Sequence, residues 1–217
     1  MGAIREAMSS YIQRELGLTE AESNALRTRY WRRYGATLLG LVRHHGVRAA
    51  HFLHDTHQLP GLEARVRGHA ADLAALRRLP GRKYILTNAP AAYAARVLAA
   101  LGLGQAFDGV FSIEDMHLFG DLRPKPDARM FRALAARLGV HPARCVLVED
   151  TLVHQKAARR VGMQTVWMQR WLHQARLNAP AADSPQHLKH LQHLQHLHRR
   201  PAYVDRRVRC LRDLLKR

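Results

Sequence analysis

Two adjacent carboxylates, Glu149 and Asp150, directly follow a short apolar run in this chain. Residues 145–148 are apolar and mostly β-branched or leucine, which is typical of a buried strand. Residues 152–162 then have a helical pattern that ends on a glycine, and residues 164–168 indicate the next strand. Strand, acidic turn, helix and strand form a βαβ unit, which binds ligands at the carboxyl ends of its strands. Paired carboxylates there favour a bound cation, and the alternative is that this turn only caps the helix.

Two further stretches carry polar groups at similar places. The run KYILTNAP (83–90) indicates a strand that ends in Thr87 and Asn88, with Pro90 where a helix would start. The run RPKPD (123–127) places Lys125 between two prolines, ahead of a predicted helix.

These residues, taken in order, resemble the motifs of the haloacid dehalogenase (HAD) superfamily of phosphohydrolases. Thr87 matches its second motif, Lys125 its third and Glu149-Asp150 its fourth, and the resemblance covers roughly residues 1–170. The segments TNAP, PKPD and VEDTLVHQKAA are most similar to the pyrimidine 5′-nucleotidase-like branch of the superfamily. The resemblance implies an α/β fold, a Rossmannoid parallel sheet with an N-terminal helical cap.

The resemblance also implies a role for each residue. Asp150 would bind Mg²⁺, with Glu149 nearby directly or through water, because Mg²⁺ prefers hard oxygen ligands. Thr87 and Asn88 would contact a phosphoryl oxygen, and Lys125 would neutralise charge on the phosphate in the transition state. His154 stands where many relatives have Asn, so the loop after Asp150 is expected to be oriented differently.

Hydrophobic periodicity and local composition divide the chain into four predicted parts. They are an all-helical opening at 1–67, which the resemblance implies is the cap, an α/β core at 68–172, a histidine-rich low-complexity linker at 173–200 and a terminal helix at 201–217. The cap is predicted to contain helices at 3–16, from 19 to about 43, and at about 47–57. The core is predicted to contain strands at 84–87, 109–112, 145–148 and 164–168, with helices between them. Such alternation favours a mainly parallel sheet.

The first motif of the family has no counterpart in this sequence. In the family, an aspartate in a DxDxT-type motif on the first, central strand attacks phosphorus and forms a phosphoaspartyl intermediate. Asp55 and Asp72 do not follow an apolar strand and do not replace it. We therefore expect either a chain truncated at its start or a catalytically dead relative. Without the central strand its two parallel neighbours lose hydrogen-bonding partners, so the chain as given is expected to be inactive and poorly soluble or molten.

The composition limits the function classes. The 217 residues are 47% hydrophobic, enough for a core, and neither a membrane-spanning run nor a signal peptide is recognisable, so a cytoplasmic protein is expected. The net charge of +18 attracts anions, including nucleic acid and phosphorylated metabolites, but an arginine-rich composition without any function is the favoured explanation. Tyr30, Tyr34 and Arg33 are conceivable substrate contacts in the cap, but an aromatic stripe at helical spacing is more often core.

The leading hypothesis is a Mg²⁺-dependent phosphomonoester hydrolase that acts on a nucleoside monophosphate. Its partner is then a small phosphorylated metabolite, with nucleic acid bound only non-specifically by the basic surface and no membrane. The alternative is a non-catalytic HAD-like protein that binds anions or nucleic acid through its arginines. The sequence does not indicate an oligomeric state.

Overall fold

A computed structural model describes residues 2–170 and 200–216 in two compact units. The first unit comprises Met1–His69 and Pro80–Met130, and the second comprises Ala70–Leu79 and Phe131–Arg217. None of the described helices has the length and apolarity needed to span a bilayer.

The first unit opens with five helices. They are α1 (Gly2–Leu16), α2 (Glu20–Tyr34), α3 (Thr37–His45), α4 (Ala49–His57) and the short α5 (Leu62–Arg65). Helix α2 begins with the capping box that the sequence predicts, in which Thr19 and Glu22 exchange hydrogen bonds. The expected single helix from 19 to about 43 is wrong, because Gly35 adopts a left-handed conformation (φ 79°) and ends α2.

Apolar side chains from these helices form the core of the first unit. Its buried members are Tyr11, Ile12, Leu26, Tyr30, Leu38, Leu41, Phe52 and Ile113. Helices α2 and α3 pack closely because Gly40 lies against the ring of Tyr30, where an added Cβ would stand 2.2 Å from Cγ. Tyr30 is thus a core residue, and its hydroxyl lies 2.7 Å from Nε2 of His45.

The rest of the first unit contains a small parallel sheet. Strand β1 (Tyr84–Leu86) pairs in parallel with β2 (Gly109–Phe111), and α7 (Ala91–Ala100) lies between them in sequence. A 3-10 helix (Ile113–Met116) leads to a hairpin of β3 (His117–Leu118) and β4 (Asp121–Leu122). The predicted strands at 84–87 and 109–112 are each confirmed to within one residue.

The second unit contains a three-stranded parallel sheet. Its elements are α6 (Ala70–Arg78), α8 (Ala128–Arg137, whose first residues belong to the other unit), a 3-10 helix (Pro142–Arg144), β5 (Val146–Glu149), α9 (Leu152–Arg160), β6 (Gln164–Met168) and β7 (Arg206–Val208). The strand order is β5-β6-β7, and α9 packs on β5 and β6. The predicted strands at 145–148 and 164–168 are confirmed.

The terminal helix expected at 201–217 is not observed. Residues Arg206–Val208 instead extend the sheet beside β6, and Leu211–Leu215 form a 3-10 helix that packs against α6. The physical reason is tertiary: Thr165 on β6 donates its hydroxyl to the carbonyl of Tyr203 and its N–H to Asp205. These bonds fix residues just ahead of β7 against the edge of β6.

The compact units cut across the predicted domain boundary at residue 67. Strands β1 and β2 belong to the first unit with the helices, whereas β5, β6 and β7 belong to the second. Within the described residues, β1 pairs only with β2, and β5 pairs only with β6. The assignment of residues 1–67 as a cap stays a prediction, and the expected histidine-rich linker at 173–200 lies almost wholly outside the described residues.

Candidate active site

Thr87 stands immediately after β1 with its hydroxyl held in place. Its N–H donates to the carbonyl of Phe111 at 2.9 Å, which extends the pairing of β1 with β2 by one residue. Its Oγ1 accepts the N–H of Ala89 at 3.0 Å. Because the hydroxyl accepts this bond, its proton can be directed toward an anion.

Asn88 and Lys125 are joined by two reciprocal hydrogen bonds. The Asn88 amide donates to the Lys125 carbonyl at 2.9 Å, and its oxygen accepts the Lys125 N–H at 3.0 Å. The structure therefore shows that Asn88 positions the lysine loop. A direct contact of Asn88 with substrate, as the sequence predicts, stays a prediction.

The Lys125 side chain is buried although it carries a charge. The residue is 8% exposed, and Nζ donates to the carbonyl of Leu86 at 2.9 Å. The peptide bond from Lys125 to Pro126 is cis, and the Pro126 ring packs on Gly35 of the turn after α2. An ammonium group carries three N–H donors and a positive charge that is weakly screened when buried, so this lysine is suited to holding a negatively charged group.

Glu149 and Asp150 lie where β5 ends and α9 begins. Oε1 of Glu149 accepts the N–H groups of Asp150 and Thr151 at 3.2 and 3.1 Å. The Thr151 hydroxyl donates to Oδ1 of Asp150 at 3.1 Å, and Nδ1 of His154 lies 3.2 Å from Oε2 of Glu149. Thr151 is the N-cap of α9, but its side chain makes no capping bond.

Two buried residues that the sequence reasoning missed hold the backbone of this turn. Nε2 of Gln155 donates to the carbonyls of Glu149 and Val166, both at 2.7 Å, and thereby joins the ends of β5 and β6. Nε1 of Trp167 donates to the carbonyl of Asp150 at 3.0 Å. The signal for Gln155 was a polar residue at an inward position of the helical repeat of α9, three residues before the buried Ala158 and therefore on the same face of the helix.

The electrostatics of the acidic pair favour a cation. The pKa of Asp150 is raised to about 6, chiefly by burial and also by the hydrogen bond with Glu149 and the charge of Glu149. A divalent cation would relieve this repulsion, and the carboxylate oxygens are ligands that Mg²⁺ prefers. Within the part of the chain that the structure describes, no three His, Cys, Asp or Glu residues are grouped to enclose a metal. Water would complete such a site, as is usual for Mg²⁺.

The structure thus groups the predicted site residues into two sets. Thr87, Asn88 and Lys125 come together in the first unit, and Glu149 and Asp150 in the second. Tyr34, which the sequence raised as a substrate contact, has its hydroxyl 2.5 Å from Nε2 of His44. Arg33 lies over the ring of Tyr34.

Comparison with known proteins gives consistent matches. Among curated proteins, fructose-1-phosphate phosphatase YqaB of Escherichia coli is 38% identical over 80 residues, which are 37% of this chain and 40% of that protein. The match therefore spans less than half the length of that relative.

Solved structures share the fold at lower identity. CbbY from Rhodobacter sphaeroides in complex with phosphate is 18% identical with a TM-score of 0.59, covering 98% of this chain and 89% of that one. L-2-haloacid dehalogenase from Xanthobacter autotrophicus is also 18% identical, with a TM-score of 0.56 and coverages of 97% and 91%. A HAD phosphatase from Thermococcus onnurineus is 21% identical, with a TM-score of 0.53 and coverages of 98% and 86%.

Two protein-family models match this chain. A HAD-hydrolase-like model matches residues 122–204, a range that includes β5, α9 and β6. The model described as haloacid dehalogenase-like hydrolase matches residues 6–162, from α1 through α9, and so takes in both sets of site residues. With most of its length in that match, the chain belongs to the haloacid dehalogenase-like hydrolase family.

Proposed function

We propose that this protein is a Mg²⁺-dependent phosphomonoester hydrolase. The observation that carries the proposal is the half-buried pair Glu149-Asp150 at the end of β5, two adjacent carboxylates whose charges a divalent cation would offset. Family membership supports the same reaction class. When bound, the cation would supply positive charge to a phosphoryl oxygen.

The remaining residues are assigned to the phosphoryl group. Thr87 would donate its hydroxyl proton to a phosphoryl oxygen, since that hydroxyl already accepts the N–H of Ala89. Lys125 would neutralise charge that builds up in the transition state, and Asn88 holds the backbone of Lys125 so that the ammonium group stays in place. No described residue is assigned as the nucleophile. Asp55 and Asp72 lie in helices α4 and α6, and Asp150, which follows strand β5, is assigned to the cation.

The proposed substrate is a small phosphorylated metabolite, with a nucleoside monophosphate as the first candidate. This preference rests on the resemblance of TNAP, PKPD and VEDTLVHQKAA to the pyrimidine 5′-nucleotidase-like branch. A sugar phosphate is the second candidate, because a curated relative is a fructose-1-phosphate phosphatase. Release of phosphate from both substrate classes, measured side by side with Mg²⁺, distinguishes the candidates.

The test of the proposal compares two chains on p-nitrophenyl phosphate with Mg²⁺. The 217-residue chain is expected to show no turnover, and a longer chain in which an LFDxDxT-type segment precedes residue 1 is expected to hydrolyse the ester. In the longer chain, Asp150→Asn and Lys125→Ala should each lower kcat by orders of magnitude, whereas Lys156→Ala, at an exposed lysine of α9, should not.

Two outcomes contradict these assignments. Near-normal rates in both Asp150→Asn and Lys125→Ala would show that the motifs are wrongly assigned. Turnover by the 217-residue chain that is lost in Asp150→Asn would show that an aspartate already present acts as the nucleophile.

A second candidate function is supported by the charge of the chain. The net charge of +18 suits a non-catalytic protein that binds anions or nucleic acid. If this binding is only compositional, affinity for nucleic acid should fall steeply with salt and be independent of sequence. Affinity that persists at physiological salt and differs between sequences would favour the second candidate.

A further inference from the structure

The two carboxylates of the acidic turn do not have equivalent surroundings. Glu149 is contacted through both oxygens: Oε1 accepts two backbone N–H groups, and Oε2 lies 3.2 Å from Nδ1 of His154. Asp150 receives the side-chain hydroxyl of Thr151 on Oδ1 and shares a side-chain hydrogen bond with Glu149. Glu149 is thus the carboxylate of the pair that lies against both the backbone of the turn and an imidazole ring.

We propose that His154 is a positioning residue that holds the carboxylate of Glu149 beside Asp150 and thereby raises the affinity of the site for a divalent cation. This inference rests on the proposed function, because it concerns the same cation site. It goes beyond that function by adding His154 to the residues that determine cation affinity.

The contact between His154 and Glu149 is largely buried, which strengthens the electrostatic interaction between the two side chains. The side chains of both residues are only 10% exposed, so water screens their interaction weakly. Neither ring nitrogen of His154 has a hydrogen bond of good geometry within the described part of the chain. The imidazole thus has Glu149 within ion-pair distance as its polar neighbour, and a buried ring of this kind is costly without one.

The backbone beneath the pair is fixed independently of His154. Gln155 holds the carbonyl of Glu149, and Trp167 holds the carbonyl of Asp150. Gln155 and Trp167 are fully buried. With the main chain held by these two residues, the freedom left to the turn is in the carboxylate side chains, and the contact with His154 restricts that of Glu149.

The test measures Mn²⁺ binding at one fixed pH by the electron paramagnetic resonance signal of the free ion, with the full chain throughout. Asp150→Asn should abolish the tight site. His154→Ala should weaken Mn²⁺ binding about 10–100-fold, as loss of an outer partner of a metal ligand does. His154→Gln, which retains an N–H donor, should restore most of the affinity, and His69→Ala, at an exposed histidine, should leave it unchanged.

A double variant separates positioning from a general structural role. If His154 acts through Glu149, then His154→Ala combined with Glu149→Gln should weaken Mn²⁺ binding no more than Glu149→Gln alone. Melting temperatures of all variants are measured in parallel. An imidazole that only fills space would give additive losses, and His154→Gln would not restore affinity.

The outcomes distinguish this inference from the function on which it rests. If Asp150→Asn binds Mn²⁺ as tightly as the unaltered chain, the proposed cation site itself is wrong. If Asp150→Asn loses binding but His154→Ala does not, or if the losses from His154→Ala and Glu149→Gln add, the inference is overturned and the proposed function stands.

Discussion

At the scale of single residues, the chemistry of this protein lies in charged groups that the fold has partly removed from water. Lys125 donates to the carbonyl of Leu86, and Asp150 lies beside a second carboxylate. Removal from water raises the free energy of a charged group, and a bound ligand of opposite charge lowers it. Removal of such a charge is therefore expected to raise the free energy of unfolding and to weaken ligand binding.

The pH dependence of stability tests this expectation at Asp150. Its pKa is raised from 3.8 to about 6 by burial and by Glu149, so between these values the folded chain binds more protons than the unfolded chain. The contribution of Asp150 to the free energy of unfolding therefore falls as the pH rises through this window. Asp150→Asn should lose this dependence and, without divalent cations, melt at a higher temperature than the unaltered chain at pH 7.

A matched variant at Asp213 should have the opposite sign. Burial acts to raise the pKa of Asp213, but the N–H groups of Arg209 and Cys210 and the neighbouring Lys216 hold it at about 2. Asp213→Asn should therefore lower the melting temperature at pH 7. Melting curves recorded in chelator from pH 4 to pH 7 check both variants, and a parallel response of the two would contradict the assignment.

At the scale of elements, close contacts decide where the helices and loops can lie. Gly35 ends α2 in a left-handed conformation, and an added Cβ would stand 2.1 Å from Cδ of Pro126, next to Lys125. Gly46 ends α3 in a similar conformation (φ 63°), but an added Cβ there would meet nothing within 4 Å. The two glycines thus share their backbone requirement and differ in their surroundings.

Alanine substitutions at these two glycines separate the cost of a left-handed backbone from the cost of a steric clash. Gly46→Ala should lower the free energy of unfolding by about 1–2 kcal/mol, the cost of a left-handed alanine. Gly35→Ala should lower it by clearly more, because Pro126 must also move. Urea denaturation of both variants measures the difference, and equal losses would show that the contact with Pro126 is unimportant.

Gln155 provides a second test at the element scale. Gln155→Leu leaves the carbonyls of Glu149 and Val166 without their shared donor, so it should lower the free energy of unfolding by about 1–3 kcal/mol. Gln164→Leu is the matched control, because Gln164 is exposed and makes one long bond to Ala143. A loss in Gln164→Leu as large as that in Gln155→Leu would contradict the proposed role of the buried amide.

The secondary structure was largely predictable because hydrophobic periodicity and capping residues are local signals. The strands at 84–86 and 146–149 were found because apolar runs end at polar residues there, and the capping box at Thr19 was evident in the sequence. The break at Gly35 was missed because a glycine inside a helical pattern is often tolerated. The strand β7 was missed because its partner, β6, is about 40 residues away in sequence.

The candidate site was predictable only in part, for a related reason. Thr87, Lys125 and Asp150 follow recognisable strand ends or lie in a proline-flanked loop, so residue type and position suffice to select them. The reciprocal bonds between Asn88 and Lys125, and the contact of His154 with Glu149, depend on side-chain geometry. No periodic pattern in the sequence encodes these contacts.

At the scale of the whole molecule, the described strands leave apolar surface uncovered. A strand of a parallel sheet is usually buried on both faces, yet Val146 and Val148 of β5 are 53% and 38% exposed. Within the described residues, β5 also has a hydrogen-bonding partner on one edge only. An exposed, apolar strand edge is a template for pairing with another chain.

These two features predict self-association through β5, which a single charged substitution can test. The chain is expected to associate increasingly with concentration, and Val146→Lys should reduce this association because a lysine on an edge strand opposes pairing. Val153→Lys is the matched control, since Val153 is 44% exposed but lies on α9 instead of a strand. Sedimentation velocity over a range of protein concentrations measures the effect. If Val153→Lys reduces association as much as Val146→Lys, the cause is net charge and not the strand edge; a chain that stays monomeric at high concentration would show that the edge is protected.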